Sequence, residues 1–467
     1  MPAGAISLDT IDVQGATNPN ALIGNLPPEY AGGQVARGGQ VGILGNRDMM
    51  NTPFSQTSYT SKTIENQQAR SVGDVVNNDP AVQVTNQSAG FNDISIRGFP
   101  VRGDNILFNG LQGFAPGYLD SAMTESVERV DVLRGPSSLL NGIVGNVGGT
   151  INIVPKRAGD EPLTQLTSDY IMNSQFGGHV HIGRRFGDNK EFGIRINGVY
   201  RNGDTPINHQ SREQRLATLA FDYRGERFRF SADIGYQQQR VQGVRRFTFV
   251  AAGIQIPRAP DNRINWFDPA EFSDAAVYYG ALRAEYDLSD RWTAFITAGG
   301  NIREQTRVTG SRTIINSQGD FAAGSIGLGW SANKLYQNTV QSGINGTFDT
   351  GPIRHQVVLA GAYDHRDTRV SPGLDGAPFP ASNIYNPVFG PPPDLSTLPG
   401  YGRVKEQNNS TWSSVVVADT LSILQDRVQL TAGARLQKIE STSVDAFVTG
   451  AQLSKYNYGA PTPSVIA

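Results

Sequence analysis

The chain has 467 residues, a formal net charge of −2, 38% hydrophobic residues and no cysteine. The charge argues against a nucleic-acid binder, which shows a basic patch or excess, and the missing thiols exclude disulfides, thiolate catalysis and zinc–thiolate centres. The length calls for at least two structural units, and no window approaches the ~18 apolar residues of a membrane-spanning helix, which leaves open a membrane protein built of alternating strands.

Met1–Ala5 lacks the basic and apolar parts of a secretory signal, so a secreted origin requires that the signal has been removed. Residues 1–60 are rich in Gly, Asn, Pro and Gln and read as a flexible arm. Within it, Leu8, Asp9, Thr10, Ile11, Asp12 and Val13 alternate apolar and polar side chains. Residues 61–157 change to short helices and strands. Ser71–Val76 reads as a helix, while Val82–Val84, Ile94–Arg97, Val130–Leu133 and Thr150–Val154 read as strands, together a small mixed α/β domain.

From residue 158 the pattern becomes long period-two runs. Phe228, Phe230, Ala232 and Ile234 alternate with Arg229, Ser231, Asp233 and Gly235, and similar runs occupy Tyr278–Asp287 and Val428–Gln437. About ten such residues let a tilted strand cross a bilayer. Very short turns near 187–190, 224–226, 288–291, 349–354 and 424–427 alternate with longer segments near 203–212, 241–275, 305–334, 368–405 and 441–458. Short turns on one side and long loops on the other are the habit of an outer-membrane β-barrel. The 53 Gly and 16 Tyr suit turns and aromatic girdles. About eleven full strands are expected, with the start of a twelfth at Thr462–Ala467.

Two stretches carry a family resemblance. Ile94-Ser95-Ile96-Arg97-Gly98-Phe99 is one. The other runs from Val127 through Arg134-Gly135-Pro136-Ser137-Ser138 to Gly148-Gly149-Thr150-Ile151-Asn152-Ile153-Val154-Pro155-Lys156-Arg157. Together they resemble the plug of TonB-dependent siderophore receptors, over roughly Ser61 to Arg157. The resemblance implies a plug inside a transmembrane antiparallel barrel of the 22-stranded type, of which residues 158–467 supply about the first half, a C-terminally truncated sequence. It implies a receptor of the bacterial outer membrane, working as a monomer among lipid and lipopolysaccharide. That receptor imports a ferric siderophore with energy from TonB and its inner-membrane complex. No enzyme activity, resident cofactor or nucleic-acid partner is implied.

By the same resemblance, Leu8–Val13 is the TonB box, which adds a strand to the edge of a TonB sheet. Arg97 and Arg134 lock plug to barrel by pairing with barrel carboxylates, which are expected largely in the missing C-terminal half. Arg97, Phe99, Arg102, Gln112, Phe114 and Tyr118 are the apical ligand contacts, where Arg suits an anionic or carbonyl-rich chelate and aromatics cover apolar flanks. The look of Asn109–Gly113 favours a hydroxamate-type ligand. Arg245, Arg246, Phe247 and Phe249 lie in a long external-type loop and are candidates for an outer capture surface. Alternatives are the same architecture importing cobalamin, haem or an oligosaccharide, and a passive porin-like barrel.

Other signals are weaker. His179 and His181 point to one strand face, expected to be the lumen, and lack a third metal ligand. Gly145–Gly149 lacks the Gly-Lys-Ser/Thr ending of a phosphate loop. Glu285 and Asp287 share a lumen face with no basis for acid–base roles, and no catalytic constellation is evident.

Overall fold

The computed structural model describes residue 18 and residues 20–466, apart from 89–90, 113, 115–121, 143–145, 172, 322–326, 373, 379, 392–393, 398–399 and 448. The first unit contains strands β1 (Val35–Ala36), β2 (Gly38–Gln40), β3 (Asn46–Asp48) and β4 (Ser55–Thr60), then helices α1 (Ser61–Gln67) and α2 (Val72–Val76). Strands β5 (Val82–Ser88), β6 (Phe91–Ile96), β7 (Phe99–Val101), β8 (Ile106–Phe108) and β9 (Val127–Arg134) follow, then helix α3 (Ser138–Asn141) and β10 (Gly149–Pro155). Both longer helices start where their side chains satisfy free backbone donors. The Thr60 hydroxyl accepts from Thr63 N–H, and Ser71 and Asp74 form a reciprocal capping box.

The central sheet has the order β1-β4-β9-β10-β8, antiparallel except for the β10–β8 pair. Nearly every residue of β9 and β10 is buried, because one face carries the helices and the other faces the second unit. Their sequences still alternate, Val130-Asp131-Val132 and Ile151-Asn152-Ile153, and the polar members Asp131 and Asn152 are buried and hydrogen-bonded to each other.

The ordered domain reaches back into the stretch read as an arm. β1 and β4 pair within the central sheet, and Val41, Ile43 and Leu44 are buried in a core cluster. The glycines and asparagines of this stretch serve tight local geometry: Gly42 and Gly45 have φ of 52° and 77°.

The second unit begins with β11 (Leu163–Ile171), β12 (Gln175–Phe186), β13 (Phe192–Asp204), β14 (Ser211–Arg224) and β15 (Phe228–Gln242). It continues through β16 (Thr248–Val250), β17 (Phe272–Ser289), β18 (Trp292–Thr309), β19 (Arg312–Ile314), β20 (Asp320–Phe321), β21 (Gly327–Thr350) and β22 (Ile353–Val370). β23 (Leu374–Pro378), β24 (Ser382–Asn383), β25 (Lys405–Ile423), β26 (Val428–Val444) and β27 (Gln452–Ile466) complete it. Twelve of these strands pair in sequence order as one antiparallel sheet, from β11 to β27, with β23 added to β21. The short strands β16, β19, β20 and β24 form a separate sheet among the long loops.

The period-two reading holds at side-chain level. In β15, Phe228 and Ile234 are 43% and 63% exposed on the outside, while Arg229, Ser231 and Asp233 are 2%, 1% and 6% exposed against the plug. The twelfth strand is longer than expected: β27 starts at Gln452 and leaves only residues 445–451 between it and β26. Ladders continue beyond the bilayer because backbone pairing persists wherever two strands stay side by side, polar side chains or not. β21 runs for 24 residues for this reason, and the loops shrink accordingly.

Candidate functional site

The inward faces of the barrel strands meet the plug through paired charges and a few aromatics. Arg157, at the end of the plug, donates from both terminal nitrogens to Asp233 of β15, each at 2.7 Å. Arg201 of β13 pairs with Glu125 of the plug and with Asp169 of β11. Met123 N–H donates to Gln237 at 2.9 Å. Arg435 of β26 donates to the carbonyls of Leu139 and Leu140 in α3, at 2.9 and 3.0 Å. Phe108 and Phe114 pack on Tyr279 of β17, with ring centroids 5.4 and 6.0 Å away.

Glu285 and Asp287 sit in a charge-balanced cluster. Arg229 reaches Glu285 at 3.2 Å and Asp287 at 2.7 and 2.6 Å, and Arg283 reaches Glu285 at 2.6 Å. Two cations and two anions cancel, which is what keeps such buried ions tolerable.

Among the described residues, the two arginines expected to lock plug to barrel meet no barrel carboxylate. Arg134 pairs with Asp79, inside the plug, and also donates to Ser55 and Thr57. Asp79 is fully buried in the plug and presents the nearest carboxylate, so the arginine braces β9 against the loop after α2. Arg97 has φ of 53° and is exposed; its N–H donates to Ala81 O at 2.7 Å, and among the described residues it makes no ion pair. The described arginine ties between plug and barrel include those of Arg157, Arg201 and Arg435, and Arg47 donates to Gln356 of β22.

The apical residues fall into two groups. Phe99 is 45% exposed and Arg102 is exposed beside it on the loop leading to β8. Gln112 is buried, with its amide donating to Leu140 O at 3.2 Å, and it borders a narrow cleft against Asp364, Trp412 and Gln437. Phe114 has no exposed surface: an aromatic with Phe108 and Tyr279 beside it gains more by joining the core than by facing an open lumen. Tyr118 and Leu8–Val13 lie outside the described residues. The Asn109-Gly110 turn is half-buried and tied inward, with Gly110 N–H donating to the Asn152 side chain at 2.9 Å.

The barrel wall beside the plug apex brings together residues that sequence reading did not single out. Arg303 abuts Gly103 of the plug and donates to Gln337 at 3.3 Å. Gln337 donates to Asp364 at 2.6 Å, and Asp364 accepts from Arg366 Nε at 2.7 Å. The Arg366 guanidinium lies 4.0 Å from the ring centroid of Trp412. Each occupies the polar phase of its alternating strand, and that phase was the available signal.

On β12, His179 and His181 stack at 5.3 Å and His181 Nε2 accepts from Arg195 of β13, an ordinary lumen contact. Among the described residues no three His, Cys, Asp or Glu side chains are grouped to hold a metal. In the long loop, Arg245 stacks on Trp266 and donates to Asn262 and Ile264 carbonyls, Arg246 donates to Thr309, and Phe247 and Phe249 are 50% and 55% exposed.

Two plug groups are electrostatically strained. Asp131 is buried without a salt bridge, and desolvation raises its pKa against the opposing donors Ser58, Asn152 and Gln40 N–H. Burial, with Arg354 nearby, pulls Arg47 down to about 10.

Residues 48–150 match the family model of the TonB-dependent Receptor Plug Domain. The chain is 39% identical over 448 residues to the ferrichrome receptor FcuA of Yersinia enterocolitica, covering 94% of this chain and 58% of that protein. It is 24% identical over 408 residues to a ferrioxamine B receptor of Salmonella typhimurium, covering 84% and 56%. Among solved structures it is similar to BauA, the ferric preacinetobactin receptor of Acinetobacter baumannii, with a TM-score of 0.85 and 37% identity over 94% of this chain and 64% of that one. The chain thus spans little more than half the length of these curated relatives.

Proposed function

We propose, from a chain that carries the TonB-dependent receptor plug domain and resembles siderophore receptors over nearly all of its length, that the protein binds a ferric siderophore at the bacterial cell surface and passes it inward. The plug seated on the polar inner face of an outer-membrane-type sheet is the observation that carries this reading. The chelate docks over Phe99, Arg102 and the Arg303–Gln337–Asp364–Arg366–Trp412 wall. There the guanidiniums face its oxygens and the indole covers its apolar flank. Iron arrives chelated, as cargo, so no iron ligand is asked of the protein.

Energy for transport comes from TonB and the inner-membrane complex, which grip the Leu8–Val13 box by strand addition. The twelve strands form part of a larger closed barrel of the 22-stranded type. Among the described residues β11 and β27 each have one neighbour, and hydrocarbon tolerates no open ladder edge. The receptor works as a monomer, its outer face against lipid and lipopolysaccharide.

Tryptophan fluorescence titration against ferric and iron-free siderophores tests this. Saturable quenching by one ferric chelate, with none by its iron-free form, is expected, and hydroxamates lead the panel. A folded receptor silent to every chelate overturns the siderophore reading. Haem belongs in the panel because a hemin receptor of Yersinia enterocolitica is 32% identical over 132 residues of this chain.

A further inference from the structure

The chain between residues 18 and 28 changes its attachment abruptly. Up to Ile23 it is bound to the barrel. The N–H groups of Leu22 and Ile23 both donate to the Glu285 carboxylate, at 3.1 to 3.4 Å. The Asn20 amide donates to Arg291 O at 3.1 Å, and the Asn345 amide of β21 donates to Asn20 O at 3.0 Å. From Asn25 onward the same chain is bound to the plug. Asn46 donates to Asn25 O at 2.7 Å, Arg129 donates to Pro27 O, and Arg37 N–H donates to Pro28 O at 2.7 Å. Gly24, at φ 76°, makes the bend between the two attachments.

Glu285 is suited to hold backbone donors. It is fully buried and oriented by Arg229 and Arg283, so its oxygens are fixed where Leu22 and Ile23 arrive. Hydrogen bonds to an ionised acceptor are the strong kind. Ala21 and Ile23 bury their side chains in the same seam.

We propose that residues 20–23 form a strap whose clamp is Glu285, and that tension applied from the N-terminal side is borne by the barrel until the strap peels away. Only then does force reach Asn25 and the plug sheet. The strap sets an order of events, clamp first and plug second. It rests on the reading of an energised receptor above, in which a partner pulls on the arm, but its mechanics do not need that partner.

The test is to pull on a handle fused before residue 18 while the receptor is held by its barrel in lipid vesicles. An early rupture that releases only a few residues is expected before the plug opens. Glu285→Gln should raise the rate of that first event roughly tenfold, the order expected for losing a charged acceptor. It should leave the second event unchanged. Because Glu285→Gln disturbs a buried ion cluster, Asn20→Ala with Asn345→Ala provides a second variant that weakens the strap without touching it, and the same selective effect is expected. A trace in which plug structure unravels at the first rupture, or a first event insensitive to both variants, overturns the proposal. Loss of siderophore binding with the early rupture intact would count against the transport reading and leave the strap standing.

Discussion

The seam between Arg157 and Asp233 gives a prediction that can be worked in numbers. Their side chains are 18% and 8% exposed, and the pair is bidentate at 2.7 Å. Asp233→Ala would leave the guanidinium without its bidentate partner, with the Asp222 carboxylate as the remaining nearby counter-charge, and breaking a buried pair from one side costs about 3–5 kcal/mol. The partial exposure of Arg157 lets water recover some of this, so about 3 kcal/mol is the working figure. For a plug of roughly a hundred residues, with a urea dependence of about 1.5 kcal/mol per molar, the plug midpoint should fall by ~2 M. Urea-dependent proteolysis of residues 61–157 in the vesicle-embedded receptor measures this, with the barrel fragment as internal reference. Replacing both partners by apolar residues, Arg157→Met with Asp233→Leu, should recover most of the loss, because no ion is then left unpaired. A single-mutant shift under about 0.5 M, or a double mutant worse than the two singles added, would refute the account of this seam as a buried, mutually dependent pair.

Other outcomes follow from the same contacts. Arg134→Ala should loosen the plug internally by about 3 kcal/mol, because Asp79 is left buried and uncompensated. Amide exchange should rise in β4 and β9 while barrel strands stay protected, and faster exchange in the barrel would contradict the assignment of this arginine to the plug interior. Asp131 has a folded pKa above its unfolded value, so the plug binds the extra proton below that folded pKa and loses this stabilisation as pH rises through it. The difference in urea midpoint between the unaltered receptor and Asp131→Asn should therefore shift steadily against the unaltered receptor as pH rises from about 4; a difference independent of pH sinks the idea. Arg366→Ala should weaken the quenching chelate roughly tenfold, the scale of one hydrogen bond to a charged group, and titrations of unchanged affinity would move the site away from Trp412.

Much of the barrel is legible in sequence because each strand faces lipid on one side and polar plug or lumen on the other, as Phe228 and Arg229 show. The plug reads less well. Its strands β9 and β10 alternate in sequence but are covered on both faces, so Asp131 and Asn152 are buried where the alternation alone would put them in solvent, and β4, written Ser-Gln-Thr-Ser-Tyr-Thr, gains strand character from its pairing with β9 and β1. Site residues are hardest. Phe99 and Phe114 are the same residue type fifteen positions apart, yet one is exposed and the other fully buried. Which one meets solvent depends on Tyr279 of a distant strand. The partner of Arg134 is likewise a matter of tertiary distance. Sequence shows an arginine at a strand end, not that Asp79 is the carboxylate it meets.

The length of β21 has a consequence outside the membrane. Its 24 residues extend about 80 Å, or ~60 Å of height at the usual tilt, while the hydrocarbon layer takes up only about half of that. The remainder stands beyond the hydrocarbon as a stiff collar, where β23 pairs with the Gly327 end of β21. The mouth of the receptor is therefore lifted clear of the headgroups. Under the proposed function, a soluble chelate would meet it in open medium, with bulky surface sugars packed around a chimney rather than over a hole.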